Sequence, residues 1–290
     1  MDNKGIDSAA AIGKLYLVAT PIGNLGDITE RAASTLREVD FIAAEDTRVT
    51  RKLLEHLSIR KPLVSYYEHN RRSSGENIVR RILDGENCAL VTDAGTPGIS
   101  DPGEDLVCLC IEEGIVLESV PGPCAAVAAL AMSGLPAGRF TFEGFLSTSR
   151  KSRFEHLSEL KAEKRTMIFY EAPHKLLRTL GDMLVVFGDR RISISREITK
   201  VFEETLRFTL SEAIAHFTER SPRGEFVLIV SGCTSSPAPE TGLDDAVQAA
   251  VSLIGAGMSV KDAVKKTAEE TGVPKNILYN ACCAKTIPRT

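Results

Sequence analysis

The feature that most constrains the fold is an alternation. Short apolar runs at 14–19, 41–44, 63–67, 88–92 and 116–120 take turns with stretches at 29–39, 48–57, 76–83, 104–113 and 123–132. In the stretches, apolar residues return every three or four positions; Ala32, Ala33, Leu36 and Val39 make one such stripe. The runs read as strands and the stripes as helices. Strands separated by helices need crossover connections, which implies a mostly parallel sheet. This rhythm predicts an α/β domain over 14–135, with a boundary near 136–138.

The second half has a different rhythm. Strands are predicted at 140–146, 166–171, 191–196, 202–210 and 225–231, and helices at 153–163 and 174–187. Two consecutive strands in 191–210 without a helix between them imply a mixed sheet. This makes 136–232 a second α/β domain. The Ser/Pro/Thr/Gly-rich stretch 233–242 reads as a linker. The last segment, 243–290, carries three short helical patterns broken near Gly257 and Gly272, the outline of a helix-turn-helix-like module. Residues 1–13 are small, polar and uncapped, and are expected to form a disordered leader.

Composition narrows the function. With 43% apolar and 26% charged residues, the 290-residue chain is ordinary globular material of about two-domain size. The longest apolar run, 124–132, is nine residues, against the ~18 of a membrane helix. No membrane association and a cytoplasmic location are expected. The seven cysteines lack a C-x-x-C pair and the five histidines lack H-E-x-x-H spacing. Reduced thiols and no metal site are the reading.

A net charge of −4 argues against a protein that coats nucleic acid nonspecifically. Local charge runs the other way. Residues 45–81 hold nine Lys/Arg against five acids, 139–165 seven against four, and 259–290 six against three. Three basic segments in an acidic chain suit a polyanion, although solvated helix faces would show the same pattern. Aromatic residues are 6% with no Trp, so backbone and shape would dominate over base stacking.

The familiar phosphate and nucleophile motifs (G-x-x-x-x-G-K-[ST], G-x-G-x-x-G after a strand, G-x-S-x-G) are absent. What the chain has instead is a loop after each of four strands: 20–26, 45–48, 93–103 and 121–123. Ligands of parallel sheets bind beyond the carboxyl ends of strands. Any one Gly/Pro loop could simply be a tight turn. The 93–103 loop, with three Gly and two Pro in eleven residues, exceeds what a turn needs. Glu45 and Asp46 close one buried strand, where an Asp could equally cap the next helix; Glu171 closes another.

Together, ATPIGNLGDITERA (19–32), AEDTRVTRKLL (44–54), TDAGTPGISDPG (92–103), VPGPCAAVAAL (120–130), FYEAPHKL (169–176), SREITKVFEET (195–205) and GEFVLIV (224–230) resemble the tetrapyrrole-methylase-like methyltransferases, and within them the branch that acts on ribosomal RNA. The resemblance implies two α/β domains of the class III methyltransferase type. It further implies S-adenosylmethionine in the cleft between them, a homodimer, and a 16S rRNA substrate within the small ribosomal subunit, methylated on a cytidine 2′-oxygen in the decoding region. By the same resemblance the cofactor residues would be Pro21 and Gly23, then Asp93, Gly95, Thr96, Pro97 and Ile99, then Cys124 and Ala125, and Phe169 and Tyr170. Tetrapyrrole-acting relatives often carry Gly-Asp-Pro where this chain has Gly95-Thr96-Pro97, so their carboxylate contact is absent here or moved to Asp93 or Asp101.

A ribose hydroxyl is a weak acid, so a base or an oxyanion-stabilising cation would help. Position on the cleft loops nominates Glu45, Asp46 or Glu171 as base and Arg48 or Lys200 as cation. Two other readings remain: methylation of a tetrapyrrole or other small metabolite, and a non-catalytic RNA-binding assembly factor on the same fold.

Overall fold

The computed structural model describes residues 12–233, 242–271, 273 and 275–286. Most of the expected leader and the linker residues 234–241 lie outside this set. The chain divides into two compact units, 1–233 and 234–290.

The first unit opens with β1 (Lys14–Val18), α1 (Glu30–Glu38), β2 (Phe41–Ala44), α2 (Thr47–His56), β3 (Leu63–Ser65), α3 (Arg71–Leu83), β4 (Cys88–Val91), α4 (Glu104–Glu112) and β5 (Val116–Val120). The strands form one sheet in the order β3-β2-β4-β1-β5, with every pairing parallel. Strands buried on both faces should be continuously apolar, and β2 and β4 are buried at every residue. Leu15, Phe41 and Leu90 meet Ile78, Ile82 and Leu106 on one face. Val18, Ile42 and Val91 meet Leu36 and Leu54 on the other. Local chemistry sets the helix ends. The Thr29 hydroxyl accepts from the Ala32 N–H at 3.0 Å to cap α1, a contact of roughly 1 kcal/mol. Helix α3 begins at Arg71, five residues ahead of the predicted start at Glu76. Its first turn is polar and shows no apolar stripe. Asn70 organises the entry instead, accepting from Tyr67 N–H at 2.8 Å and donating to the Ser65 carbonyl at 3.0 Å.

The chain continues through α5 (Ala125–Ser133) into β6 (Phe140–Phe145), α6 (Arg150–Glu159), β7 (Thr166–Glu171), α7 (Leu176–Phe187), β8 (Arg191–Arg196), β9 (Glu204–Thr209), α8 (Leu210–Glu219) and β10 (Phe226–Val230). The second sheet runs β6-β7-β10-β8-β9. Strands β6 and β7 are parallel, and the other pairings are antiparallel. This is the mixed sheet that the helix-free stretch implied. Met167, Phe169, Leu228 and Ile194 face the helices α6, α7 and α8, with Leu157, Leu180 and Phe217.

The opposite face explains a departure from expectation. Sequence order groups α5 with the first domain. In the structure Ala126, Ala129 and Leu130 pack on Ile168, Val227 and Ile229 of the second sheet. Helix α5 is apolar on every side, so its sequence has no stripe to say which sheet it covers. The Arg207 guanidinium on β9 fixes its C-terminus by donating to the carbonyls of Ser133 (3.2 Å) and Met132.

In the second unit, α9 (Leu243–Gly255), α10 (Val260–Thr271) and α11 (Lys275–Thr286) share a small core. It consists of Ala246, Val247, Ala250, Val264, Leu278 and Cys282. No described helix is long and apolar enough to cross a membrane.

Candidate functional site

The loops after β1 and β4 are joined to each other. Thr20 N–H donates to the Gly95 carbonyl at 2.9 Å, and Gly95 N–H returns a bond to Thr20 at 3.1 Å. Gly95 has φ +90°, a region open to glycine and strained for other residues. The Thr96 hydroxyl donates to the Pro123 carbonyl at 3.4 Å, tying in the loop after β5. Three strand ends of the first sheet therefore present one continuous backbone surface.

Opposite this surface the second sheet supplies side chains. Between them lies a cavity of about 330 Å³, within the range of small-molecule sites. Gly95, Thr96, Ile99 and Asp101 line it from the loop after β4, and Cys124 and Ala125 from the start of α5. Phe145, Tyr170 and Val227 form the facing apolar wall, with Phe226 at its edge and its ring turned into the core against Phe217. The Tyr170 hydroxyl accepts from the Ala126 N–H at 3.2 Å, linking wall and helix. Burial pushes the Tyr170 phenol up to about 12, so the hydroxyl stays protonated.

The lining is acidic. Asp101, Glu171, Glu197 and Glu225 face it with one lysine, Lys200. The Lys200 ammonium donates to Glu225 at 2.7 Å and to Glu197 at 3.1 Å. Burial opposes its charge, but these two bonds outweigh it and raise its pKa. Burial works against the Glu197 charge too, yet the Glu225 N–H and Lys200 prevail and lower its pKa. Gly23 is the other side of this clasp. A Cβ there would stand 2.5 Å from Lys200 Cγ, so only glycine lets the loop after β1 lie against the lysine stem.

Backbone strain collects here as well. Among the described residues, non-glycine positive φ occurs at Ser58 (55°), Ser100 (66°), Glu197 (50°) and Thr199 (69°). Ser100 and Glu197 line the cavity and Thr199 sits between two of its lining residues. Such conformations cost of order 1–3 kcal/mol and cluster at functional sites.

The structure brings Gly95, Thr96, Ile99, Cys124, Ala125, Tyr170, Glu171 and Lys200 to the cavity wall. It does not bring the others there. Phe169 is wholly buried in the core against α7. Alternate strand residues face opposite ways, so only Tyr170 of that aromatic pair can reach the cavity. Pro21, Gly23, Asp93 and Pro97 are outside the lining; Gly23 lies against the Lys200 stem, and Asp93 accepts from the Asp46 N–H at 3.1 Å. Asp46 caps α2 through Arg48 N–H at 2.8 Å and pairs with the Arg48 guanidinium, which holds its carboxyl down at about 2. Glu45 accepts from the Thr92 hydroxyl at 2.8 Å. Glu171 is buried, accepting from the Thr179 hydroxyl at 2.5 Å and from Ala172 N–H at 2.9 Å. Sequence reasoning missed Glu197, Glu225, Phe145 and Ser100. Glu197 and Glu225 fall inside the segments 195–205 and 224–230, but those lie far apart in the chain, and only the antiparallel pairing of β8 with β10 sets the two carboxylates together.

Comparison with known proteins bears on this geometry. The family model described as Tetrapyrrole (Corrin/Porphyrin) Methylases matches residues 14–214, and the one described as RsmI C-terminal HTH domain matches 241–285. A protein of Synechocystis sp. named Ribosomal RNA small subunit methyltransferase I is 49% identical, over 92% of this chain and 96% of its own. Its namesake in Halalkalibacterium halodurans is 50% identical, over 92% and 94%. The chain belongs to the ribosomal RNA small subunit methyltransferase I family, and with it to the tetrapyrrole methylases. As a tetrapyrrole methylase it is a methyltransferase. The fold agrees. Uroporphyrin-III C-methyltransferase of Thermus thermophilus, solved with S-adenosylhomocysteine, superposes with a TM-score of 0.54 at 18% identity. The match covers 76% of this chain and 97% of that one.

Proposed function

We propose that this methyltransferase moves the methyl group of S-adenosylmethionine to the ribose 2′-oxygen of a cytidine in the decoding region of 16S rRNA. The observation that carries the reading is the cavity between the two sheets, in a chain whose relatives are named for small-subunit rRNA at about half identity along nearly their whole length.

The residues fit that donor. S-adenosylmethionine supplies an electrophilic methyl group on a cationic sulfur. The four carboxylates of the lining against one lysine favour a cation. Gly95, Thr96 and Ile99 offer close backbone approach on one side. Tyr170 and Phe145, 5.5 Å apart edge to face, offer aromatic surface on the other. Cys124 caps no N–H of α5, and with the Ala126 N–H given to the Tyr170 hydroxyl the other first-turn N–H groups suit the donor's own carboxylate. Holding donor and acceptor at attack distance supplies much of the catalysis in such a displacement. Lys200, clasped by two carboxylates, keeps the wall in position and is a poorer candidate for an oxyanion than its charge suggests.

Exposed Arg51, Lys52, Arg80 and Lys164 of the basic segments would meet the RNA backbone. Arg153 would not: it is buried, and its guanidinium bonds to Asp182 at 2.7 Å. The helical module would hold further RNA. A homodimer, tested by light scattering, and a cytoplasmic location complete the proposal.

Labelled methyl transfer tests the reading. Unmethylated small subunits, naked 16S RNA and a tetrapyrrole precursor serve as acceptors, with nuclease digestion and mass spectrometry of the product. 2′-O-methylcytidine from the RNA is expected. Label in the tetrapyrrole alone, or on a base, overturns it.

A further inference from the structure

We propose that Asp101 is the base that accepts the proton of the acceptor hydroxyl, an assignment that rests on the ribose-methylation reading above.

The argument begins with which carboxylates are free to act. Four line the cavity. Glu197 is bonded to Lys200 and to the Glu225 N–H at 3.0 Å. Glu225 is bonded to Lys200, and Glu171 is occupied by Thr179 and Ala172. Among the described residues, no cation and no backbone N–H is bonded to Asp101. Its one hydrogen-bonding neighbour is the Thr92 hydroxyl, whose single proton already goes to Glu45. Thr92 therefore holds the ionised form of Asp101 only in part, and burial outweighs it. The strained Ser100 immediately before it, at φ +66°, turns the chain at this point of the lining.

The electrostatics agree with the geometry. Burial raises the Asp101 carboxyl to about 6, helped by Glu45 and Asp93 and opposed by Thr92. A base is most effective when its pKa lies near the working pH. The charged and titratable groups facing Asp101 are Glu45 from the end of β2, Asp93 from its own loop and the protonated Tyr170 phenol from β7. Lys200 is held across the cavity by Glu197 and Glu225, and Arg48 acts on Asp93 without bonding to Asp101. The other nominated bases lack this combination. Glu45 and Asp46 are outside the lining, and Asp46 is held ionised by Arg48.

The step balances. As the ribose 2′-oxygen forms its bond to the methyl carbon, the carbon–sulfur bond breaks and its electron pair stays on sulfur, which becomes a neutral thioether. The hydroxyl proton passes to an Asp101 carboxylate oxygen and then to water.

The experiment compares the full-length chain with Asp101→Asn, using small subunits as acceptor and scoring 2′-O-methylcytidine in single turnovers from pH 5 to 8. Donor affinity is measured separately by calorimetry. The wild-type rate should rise through about pH 6. Asp101→Asn should lose about 10²–10⁴-fold in rate and lose that rise, with donor affinity kept within about threefold. Asp101→Glu should recover part of the rate. Glu45→Gln should move the acid limb to lower pH, because it removes a negative charge beside Asp101; this readout survives even if Asp101→Asn does not fold. Turnover by Asp101→Asn within about threefold of wild type overturns the assignment, as does an equal loss of donor affinity and rate, which would make Asp101 a donor-holding residue. Wild-type protein that forms no ribose-methylated RNA would sink the parent reading and this one together, a result distinct from an active Asp101→Asn.

Discussion

The two sheets of the first unit contribute to the site in different ways. The parallel sheet presents backbone: β1, β4 and β5 end at one edge, and the loops beyond them are pinned through Thr20, Gly95 and Thr96. The mixed sheet presents side chains: Tyr170 and Val227 project from paired strand positions set by antiparallel register. A loop surface depends on the conformations its residues can adopt, whereas a strand surface depends on packing behind it. The two halves should therefore fail differently when mutated.

The largest expected effect is on the second sheet. Arg153 is buried, with Asp182 on its Nε and the carbonyls of Ser147 and Thr148 on its Nη1 at 2.9 and 3.2 Å. Arg153→Met leaves Asp182 without its cation and should cost roughly 3–5 kcal/mol, read by urea unfolding. An unchanged midpoint would show that this half does not depend on its packing. Next is Gly95→Ala on the loop side. Its φ of +90° makes the substitution strained, although the nearest atom to the new Cβ, Ile22 Cγ2, is 3.5 Å away. A strain of about 1–3 kcal/mol predicts a donor affinity about ten- to hundredfold weaker by calorimetry, with the second sheet intact.

Smaller still is Tyr170→Phe, which joins the two halves. Losing the acceptor for Ala126 N–H should weaken donor binding by about 1 kcal/mol, roughly fivefold, without altering the fold. The smallest effect concerns pH. The folded pKa of Asp101, about 6, lies above its ordinary 3.8. The folded state therefore holds this proton more tightly, and the resulting stability is complete below about pH 4 and lost as pH rises through 6. Asp101→Asn should consequently melt above wild type at pH 7. The difference should vanish below pH 4. A variant that melts lower at pH 7 would contradict the burial cost assigned to this carboxylate.

Much of this was legible in residue order, for identifiable reasons. The strands β7 and β8 occupy the ranges read from their apolar runs, 166–171 and 191–196, because the apolar residues of each run fill the core of the second sheet. The mixed sheet followed from two runs with no helix between them. The Asp93–Gly103 loop was legible as more than a turn from its glycines and prolines. Its distal carboxylate, Asp101, emerged only as an alternative place for a contact. Glu45 and Glu171 looked equivalent to it in sequence, since all three follow strands. Whether a carboxylate is already hydrogen-bonded depends on Thr92 and Thr179, and spacing does not reveal those contacts.

The sequence by itself determined the elements, the alternation that makes one sheet parallel, the mixed character of the other, and the loops that border the cavity. These are consequences of local periodicity and of the few residues that permit turns. Tertiary structure alone decided that α5 covers the second sheet, that Phe169 is core while Tyr170 is wall, and that Glu197 and Glu225 share Lys200 while no described cation is bonded to Asp101. Those outcomes depend on which atoms far apart in the chain share a low-dielectric space, where a single hydrogen-bond partner changes the state of a charge.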